Sequence, residues 1–466
     1  VEYVSTRGEA PSLKFSDALL AGLASDGGLY LPVDFPQFSA AQIRALRGKP
    51  YAEVAFAVIK PFIDGEIADD VLKAMIDDAY ATFRHTAVAP LVQSGENTFI
   101  LELFHGTTLA FKDVAMQLLA RLMDHVLGER NERATIVGAT SGDTGGAAID
   151  AFAGSARTDI FILFPHGKVS PVQQRQMTTS KGENVHALAI EGDFDDCQNL
   201  VKAMFNDTPF RTGIKLSGVN SINWARIMAQ VVYYFTASLS LGAPDREIDF
   251  TVPTGNFGDI LAGYVAKRMG LPVGRLVIST NANDILARTL ATGRYEMKGV
   301  AATTSPSMDI QISSNFERLL FEAGGRDAGA VRRAMASLKQ SGAFDIEAET
   351  LTEIRKDFAA GRAGEDEVKG EIARTLKETG YLADPHTAVG LYVARQHMRA
   401  ENPMVVLSTA HPAKFPDAVN SACGIDPALP SWLADLMDRE EQFHVLSPNL
   451  EEVESYIRAS ARVGRS

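Results

Sequence analysis

Lys112 lies in the run His105–Asp113, HGTTLAFKD, directly after an apolar Leu-Ala-Phe segment. One residue, Asp113, separates it from VAMQLLARLM, whose apolar spacing predicts a helix. An amine held there has its charged form disfavoured by desolvation and by the positive end of the helix. A lysine with a depressed pKa is an amine nucleophile that forms Schiff bases at neutral pH. The same placement also suits a plain helix-start lysine with its ammonium in water, so the segment alone leaves both readings open.

Two glycine loops between strand and helix patterns could hold an anion. Thr254–Asp259, TGNFGD, lets the backbone approach closely and leaves helix-start N–H groups for a phosphate. A tight turn capped by Asp259 explains the same residues without a ligand. Ala139–Gly146, ATSGDTGG, sets small hydroxyl residues between glycines, which suits a carboxylate or phosphate. Gly138–Gly142 imitates the nucleophile elbow G-x-S-x-G with Thr140 at the serine position, where a branched side chain crowds a strained turn. A hydrolase is therefore disfavoured. No G-x-G occurs, and neither Gly48-Lys49 nor Gly167-Lys168 is followed by Ser or Thr, so both nucleotide signatures are missing. A lysine nucleophile, a separate phosphate loop and an α/β framework together match what pyridoxal phosphate requires.

These residues need a scaffold. Residues 1–96 read as a mainly helical N-terminal domain, with amphipathic patterns in PYAEVAFAVIKPFI and ADDVLKAMIDDAYATF. Residues 97–466 form the expected catalytic region. There, short apolar strands (ATIVGA, DIFILFP, NVHALAI, IDFTVP, RLVIST, MVVLST) alternate with helices, which predicts parallel sheets with crossover helices. The NSINWARIMAQ helix near residue 220 divides them into two groups. The expected fold class is α/β, a two-lobed open parallel-sheet arrangement. The smaller lobe spans about 115–215, and the larger comprises 97–114 plus 216–466, with a solvated helical insertion at about 326–376.

Composition narrows the function. The 466 residues are 22% charged and 46% apolar, as in ordinary soluble proteins. A net charge of −13 argues against nucleic acid as a partner and means that an anionic substrate needs a locally positive site. Two cysteines, Cys197 and Cys423, without a CxxC fit a reducing cytoplasm. The polar start VEYVSTRGEAPSLKF lacks a signal-peptide pattern, and no run is apolar enough to span a bilayer. The nine histidines form no HExxH pair, so no metal is expected.

Along essentially its whole length the chain resembles the threonine synthase family of pyridoxal-phosphate enzymes. The matching segments, in order, are YVSTRGEAP with SDGGLYLP, HGTTLAFKD, SGDTGGAA, NSINWARI, PTGNFGDILAG, DIQISSNFERLL, DPHTAVG and STAHPAKF. The long form with an extended N-terminal unit is similar to the bacterial and fungal subgroup. The resemblance implies fold type II, related to the tryptophan synthase β chain, and conversion of O-phospho-L-homoserine and water to L-threonine and phosphate. It implies Lys112 as Schiff-base lysine and base, and Gly255, Asn256, Phe257 and Gly258 around the cofactor phosphate. It places Thr409 in the segment facing the pyridine nitrogen, where a hydroxyl leaves that nitrogen unprotonated. Ser141, Gly142, Asp143 and Thr144 would receive the amino-acid end of the substrate. Asp143 replaces an Asn that many relatives of the wider fold use at the cofactor's 3-oxygen, and an ionised Asp cannot donate there. Asn220 and Ser221 are expected at the substrate, with Asn223 as a helix cap or a further contact. For the substrate phosphate the candidates are Lys168, Ser170, Arg226, Lys414 and Ser313-Ser314-Asn315. His105, His386 and His411 fall within matched segments. The same residues would also serve a phospholyase releasing a 2-oxo acid, while the intact lysine and loops speak against a binding homologue without catalysis. The oligomeric expectation is a monomer or weak homo-oligomer.

Overall fold

The computed structural model describes residues 1–463. Strands Ile248–Pro253, Met404–Ser408 and Thr158–Pro165 are buried at every residue, as parallel sheets covered on both faces require. Two sheets result. The larger has six strands in the order 358–362, 273–280, 248–253, 404–408, 98–102, 91–93, all parallel except the last pair. The smaller has five parallel strands in the order 444–446, 185–190, 158–165, 134–139, 216–217. This is the two-lobed α/β arrangement of fold type II.

The helix Trp224–Ser240, which links the lobes in sequence, is buried nearly all round and forms the spine of the core. Trp224 packs against Tyr3, Phe35 and Phe62 of the N-terminal unit, with ring centroids 6.2, 6.2 and 5.8 Å away. The N-terminal helices therefore share one hydrophobic core with the larger lobe. Arg7 adds a bidentate pair to Glu317, Nε to Oε1 and Nη2 to Oε2, both at 3.0 Å, on the helix Phe316–Ala323.

Three boundaries differ from the sequence expectation. The C-terminal strand His444–Leu446 pairs with Val185–Ile190, and Val453 and Ile457 of the last helix enter the smaller lobe's core. That part of 216–466 returns to the smaller lobe because strand 185–190 otherwise leaves an open edge. Leu91–Gln93, placed in the N-terminal domain, is the antiparallel edge of the larger sheet. Within 326–376, Phe358–Arg362 is a parallel edge strand rather than helix, and helices 285–292 and 385–397 pack against it. Its FAAGR sequence carries too few β-branched residues to stand out from its helical surroundings.

Candidate active site

Lys112 opens the helix Lys112–Glu129 and is buried. The chain reaches it through a left-handed turn at Leu109 (φ 62°), after which residues 109–111 run antiparallel to 409–411. Phe111 N donates to Thr409 O at 2.8 Å and His411 N to Leu109 O at 3.0 Å. Thr409 and Lys112 are therefore neighbours by backbone pairing. The Thr409 hydroxyl makes no hydrogen bond among the described residues. Gly106 is required in the HGTT turn because a Cβ there would stand 2.5 Å from Asp113 Oδ2. That carboxyl ties the turn by accepting from Thr108 N at 2.8 Å.

The Lys112 Nζ donates to Ser307 Oγ at 3.3 Å and lies 3.7 Å from Asp143 Oδ2. Burial pulls its pKa down to about 8; Asp143 opposes this, while Lys414 and Arg226 assist. At neutral pH a usable fraction of the amine is therefore uncharged, as a nucleophile and base requires. Burial would raise the Asp143 carboxyl, but Lys414, Lys112 and the Gln173 amide overcome it and hold Asp143 well below the ordinary carboxylate range. Lys414 Nζ is 2.9 Å from Asp143 Oδ1, and Gln173 Nε2 donates to that oxygen at 3.0 Å.

The loop after strand 248–253 passes through Phe257 in the left-handed region (φ 64°) before the helix Gly258–Arg268. Among the described residues, the backbone N–H groups of Asn256, Phe257 and Gly258 have no internal acceptor. They are a helix-start cradle of the kind that holds phosphate. A Cβ on Gly255 would stand 2.6 Å from Ser307 O, so the loop needs glycine to pack there. Asp259 does not cap this helix. Its carboxyl turns back to accept from Tyr233 and from Tyr234, the latter at 3.3 Å, and burial raises its pKa to about 7. An acid beside a phosphate cradle is thus kept near neutrality.

In the second loop, Thr140 Oγ1 accepts from Gly142 N at 3.0 Å and Gly145 N at 2.9 Å. The threonine at the elbow position is a brace rather than a nucleophile. Ser141 and Thr144 keep hydroxyls without partners among the described residues, beside Asp143 and at the start of the helix Asp143–Phe152. Asn315 Nδ2 donates to Ser221 O and Asn256 O, both at 3.0 Å, which brings Ser221 against the phosphate loop.

Other expected residues do different work. Ser313 Oγ donates to Gly255 O at 2.6 Å, so Ser313 and Asn315 fasten the loop and are not free for a phosphate. Lys414 uses its three N–H donors on Asp143, Thr108 O at 2.7 Å and Gln176 Oε1 at 2.9 Å. Ser170 caps the helix Pro171–Thr178, and Asn223 caps the helix Trp224–Ser240. Lys168 and Asn220 are exposed. Arg226 is buried, donates to Val219 O at 3.0 Å, and leaves its Nε without a partner. Burial lowers its pKa to about 10, and no carboxylate pairs with it among the described residues. A buried guanidinium without a counter-charge is suited to an anionic ligand.

His105 and His411 line a pocket of about 300 Å³ with Glu102, Phe104 and Tyr381, which includes no member of the Lys112 cluster. His386 is buried with Nδ1 2.7 Å from Asp384 Oδ2 and an unpartnered Nε2. Sequence reasoning missed Ser307, Gln173 and Gln176. Ser307 lies in SPSM, a turn without periodicity, and only its place just ahead of DIQISSN marks it.

The site fits pyridoxal phosphate on three counts: a buried low-pKa lysine, an open N–H cradle and an unpartnered hydroxyl at Thr409. Comparison with known proteins agrees. Residues 2–80 match the family model "Threonine synthase N terminus", residues 84–350 "Pyridoxal-phosphate dependent enzyme", and residues 387–457 "Threonine synthase, C-terminal". A threonine synthase of Pseudomonas aeruginosa is 53% identical, with 100% of each chain covered. That of Saccharomyces cerevisiae is 44% identical over 90% of this chain and 88% of its own. The crystal structure of PLP-bound threonine synthase from Brucella melitensis superposes with a TM-score of 0.98 at 69% identity, covering 99% of this chain and 100% of that one.

Proposed function

We proceed from the finding that the chain belongs to the threonine synthase family, and we propose that it converts O-phospho-L-homoserine and water to L-threonine and phosphate. It is a pyridoxal-phosphate-dependent carbon–oxygen lyase acting on a phosphate, and the last step of threonine biosynthesis is its place. Bound pyridoxal phosphate supplies an electron sink that stabilises carbanions at the substrate.

The residues act as follows. Lys112 would hold the cofactor, and as a neutral amine it moves protons between the substrate carbons, taking one from Cα and one from Cβ. The same amine delivers protons when phosphate has left Cγ and water has added at Cβ. The N–H groups of Asn256, Phe257 and Gly258 hold the cofactor phosphate, with Gly255 allowing the close packing. Thr409 would offer its hydroxyl to the pyridine nitrogen, where a neutral partner leaves that nitrogen unprotonated. Ser141 and Thr144 bind the substrate carboxylate through their hydroxyls, while Gly142, whose own N–H is held by Thr140 Oγ1, keeps the turn open beside them. Asp143 remains a carboxylate paired with Lys414, so it does not donate to the cofactor's 3-oxygen. Arg226 takes the substrate phosphate with Ser221 nearby, which answers the local charge that an acidic chain must provide.

The observation that carries this reading is the buried Lys112 amine, drawn down to about 8 and placed between Thr409 and Asp143. The deciding experiment supplies O-phospho-L-homoserine to the protein and to Lys112→Ala, following threonine and phosphate. Threonine from the parent and none from the variant supports the reading; 2-oxobutyrate in place of threonine would establish a phospholyase instead. No helix among the described residues is long and apolar enough to cross a membrane. Cytoplasmic action is our reading, supported by two free cysteines among the described residues, and we take the protein to act as a monomer or weak homo-oligomer.

A further inference from the structure

We propose that Ser307 is a catalytic residue of this reaction, its hydroxyl accepting from the Lys112 amine and donating to Asp143 so that the amine rests in one place between proton transfers. The inference rests on Lys112 being the base. Ser307 Oγ is 3.3 Å from Lys112 Nζ and 3.3 Å from Asp143 Oδ2, so the serine bridges the two groups along an indirect path beside their 3.7 Å separation. Its hydroxyl touches nothing else among the described residues.

The segment around it is built to be rigid. Asp309 accepts at Oδ1 from Thr303 Oγ1 at 2.7 Å, Asn281 Nδ2 at 2.8 Å and Asn283 Nδ2 at 2.9 Å, and at Oδ2 from Thr303 N at 2.9 Å. Asn281 also donates to Ser305 Oγ at 2.9 Å. Ser305, Asn281 and Asn283 are buried. This polar network fixes both ends of the Pro306–Met308 turn. The Ser307 carbonyl packs on Gly255, and any residue type would supply that carbonyl. The hydroxyl is therefore not needed for packing, and both of its contacts are to the reacting cluster. One turn thus sets the distance between the phosphate cradle and the base.

The proton balance of the Cα transfer is closed. The neutral Lys112 amine takes the substrate's Cα proton and becomes an ammonium. One of its N–H bonds then donates to Ser307 Oγ, while the serine proton stays directed at Asp143 Oδ2. The ammonium later returns its proton to the substrate carbon, and no proton leaves the serine. Holding the amine this way keeps it within reach without locking it as a tight ion pair.

The test uses Ser307→Ala and Ser307→Thr as holoenzymes, reading kcat, KM and exchange of the substrate Cα proton with solvent. For Ser307→Ala we expect kcat and Cα exchange to fall together by about tenfold or more, with KM changed by less than about threefold. On remixing cofactor with cofactor-free Ser307→Ala, the visible absorbance of the lysine–cofactor adduct should also appear at least about threefold more slowly. Ser307→Thr should restore all of these to within about threefold of the parent. A Ser307→Ala enzyme within about twofold of the parent in kcat, or a threonine variant as slow as the alanine one, overturns the proposal. If Lys112→Ala still turns over, the assignment of the base itself falls; if it is inactive and Ser307→Ala is unimpaired, only the serine's role falls.

Discussion

Lys414 and Asp143 form a buried ion pair, 2.9 Å from Nζ to Oδ1, whose ammonium gives its other donors to Thr108 O and Gln176 Oε1. The pair joins the STAHPAKF and SGDTGG segments directly behind Lys112. It also settles why an aspartate can occupy a place where an amide would donate: the cation beside it keeps it ionised, and it acts through charge on the two lysines.

Removing one member should expose the cost of the other. Lys414→Met leaves a carboxylate buried without its cation and should destabilise the protein by about 3–5 kcal/mol in urea unfolding. Adding Asp143→Asn should recover most of that loss, because the remaining amide needs no counter-charge. Additive losses in the double variant would mean that the two residues are not coupled.

The Lys112 amine gives a pH signature. With its pKa near 8, the rate of adduct formation with added cofactor should climb about tenfold per pH unit below that value and level above it. An ordinary lysine would keep climbing to about 10.4. The stability linkage has a fixed sign. Between the folded value near 8 and the unfolded value near 10.5 the unfolded chain binds more protons, so this group makes stability rise with pH there. Below pH 8 its full cost is present. A stopped-flow absorbance profile that is still rising at pH 10 would contradict the assignment.

Asp259 predicts the opposite slope at lower pH. Burial raises its pKa from 3.8 to about 7, so the folded state binds the extra proton in that window. Stability contributed by this group is present below 3.8 and is lost as pH rises to 7. Asp259→Asn keeps an acceptor for Tyr233 and carries no charge. Relative to the parent it should therefore gain stability between pH 5 and pH 8, by about 1–3 kcal/mol in paired urea titrations. A parent-minus-variant difference that stays constant with pH would show that Asp259 does not titrate.

The fold was readable where periodicity and burial coincide. IDFTVP, MVVLS and DIFILFP are strands because every residue is covered, and the helices between them show one apolar stripe. FAAGR at 358–362 and HVL at 444–446 were not readable, because each becomes a strand only by meeting an existing sheet edge. In the site, Lys112 and the TGNFGD loop stand out because their neighbours carry glycines or apolar runs, whereas Thr409 is marked only by the family resemblance. Ser313 and Asn315 are phosphate candidates in the sequence, yet they fasten the loop, since a polar side chain in sequence does not disclose whether its partner is backbone or ligand. Ser307 and Gln173 were invisible for a related reason. Their roles arise from distances between segments 164 and 30 residues from Asp143 in the chain.

Arg226 sets stability against binding. Its guanidinium is buried with Nε unpartnered, one N–H on Val219 O and no carboxylate opposite, so folding without an anion leaves that charge uncompensated. Methionine has similar reach and no charge, and replacing a buried unbalanced ion by an apolar side chain commonly stabilises by about 1–3 kcal/mol. Arg226→Met should therefore unfold at higher urea than the parent. The same change should raise KM for O-phospho-L-homoserine by about tenfold or more, while kcat falls much less, because the phosphate is bound in ground and transition states alike until it leaves. Inorganic phosphate should inhibit the variant more weakly for the same reason. Arg226→Lys separates charge from geometry: a lysine keeps the charge but not the planar fork, so KM should lie between the other two. A more stable Arg226→Met with unchanged KM and unchanged phosphate inhibition would remove Arg226 from the substrate site and leave its buried charge without a purpose in the reaction.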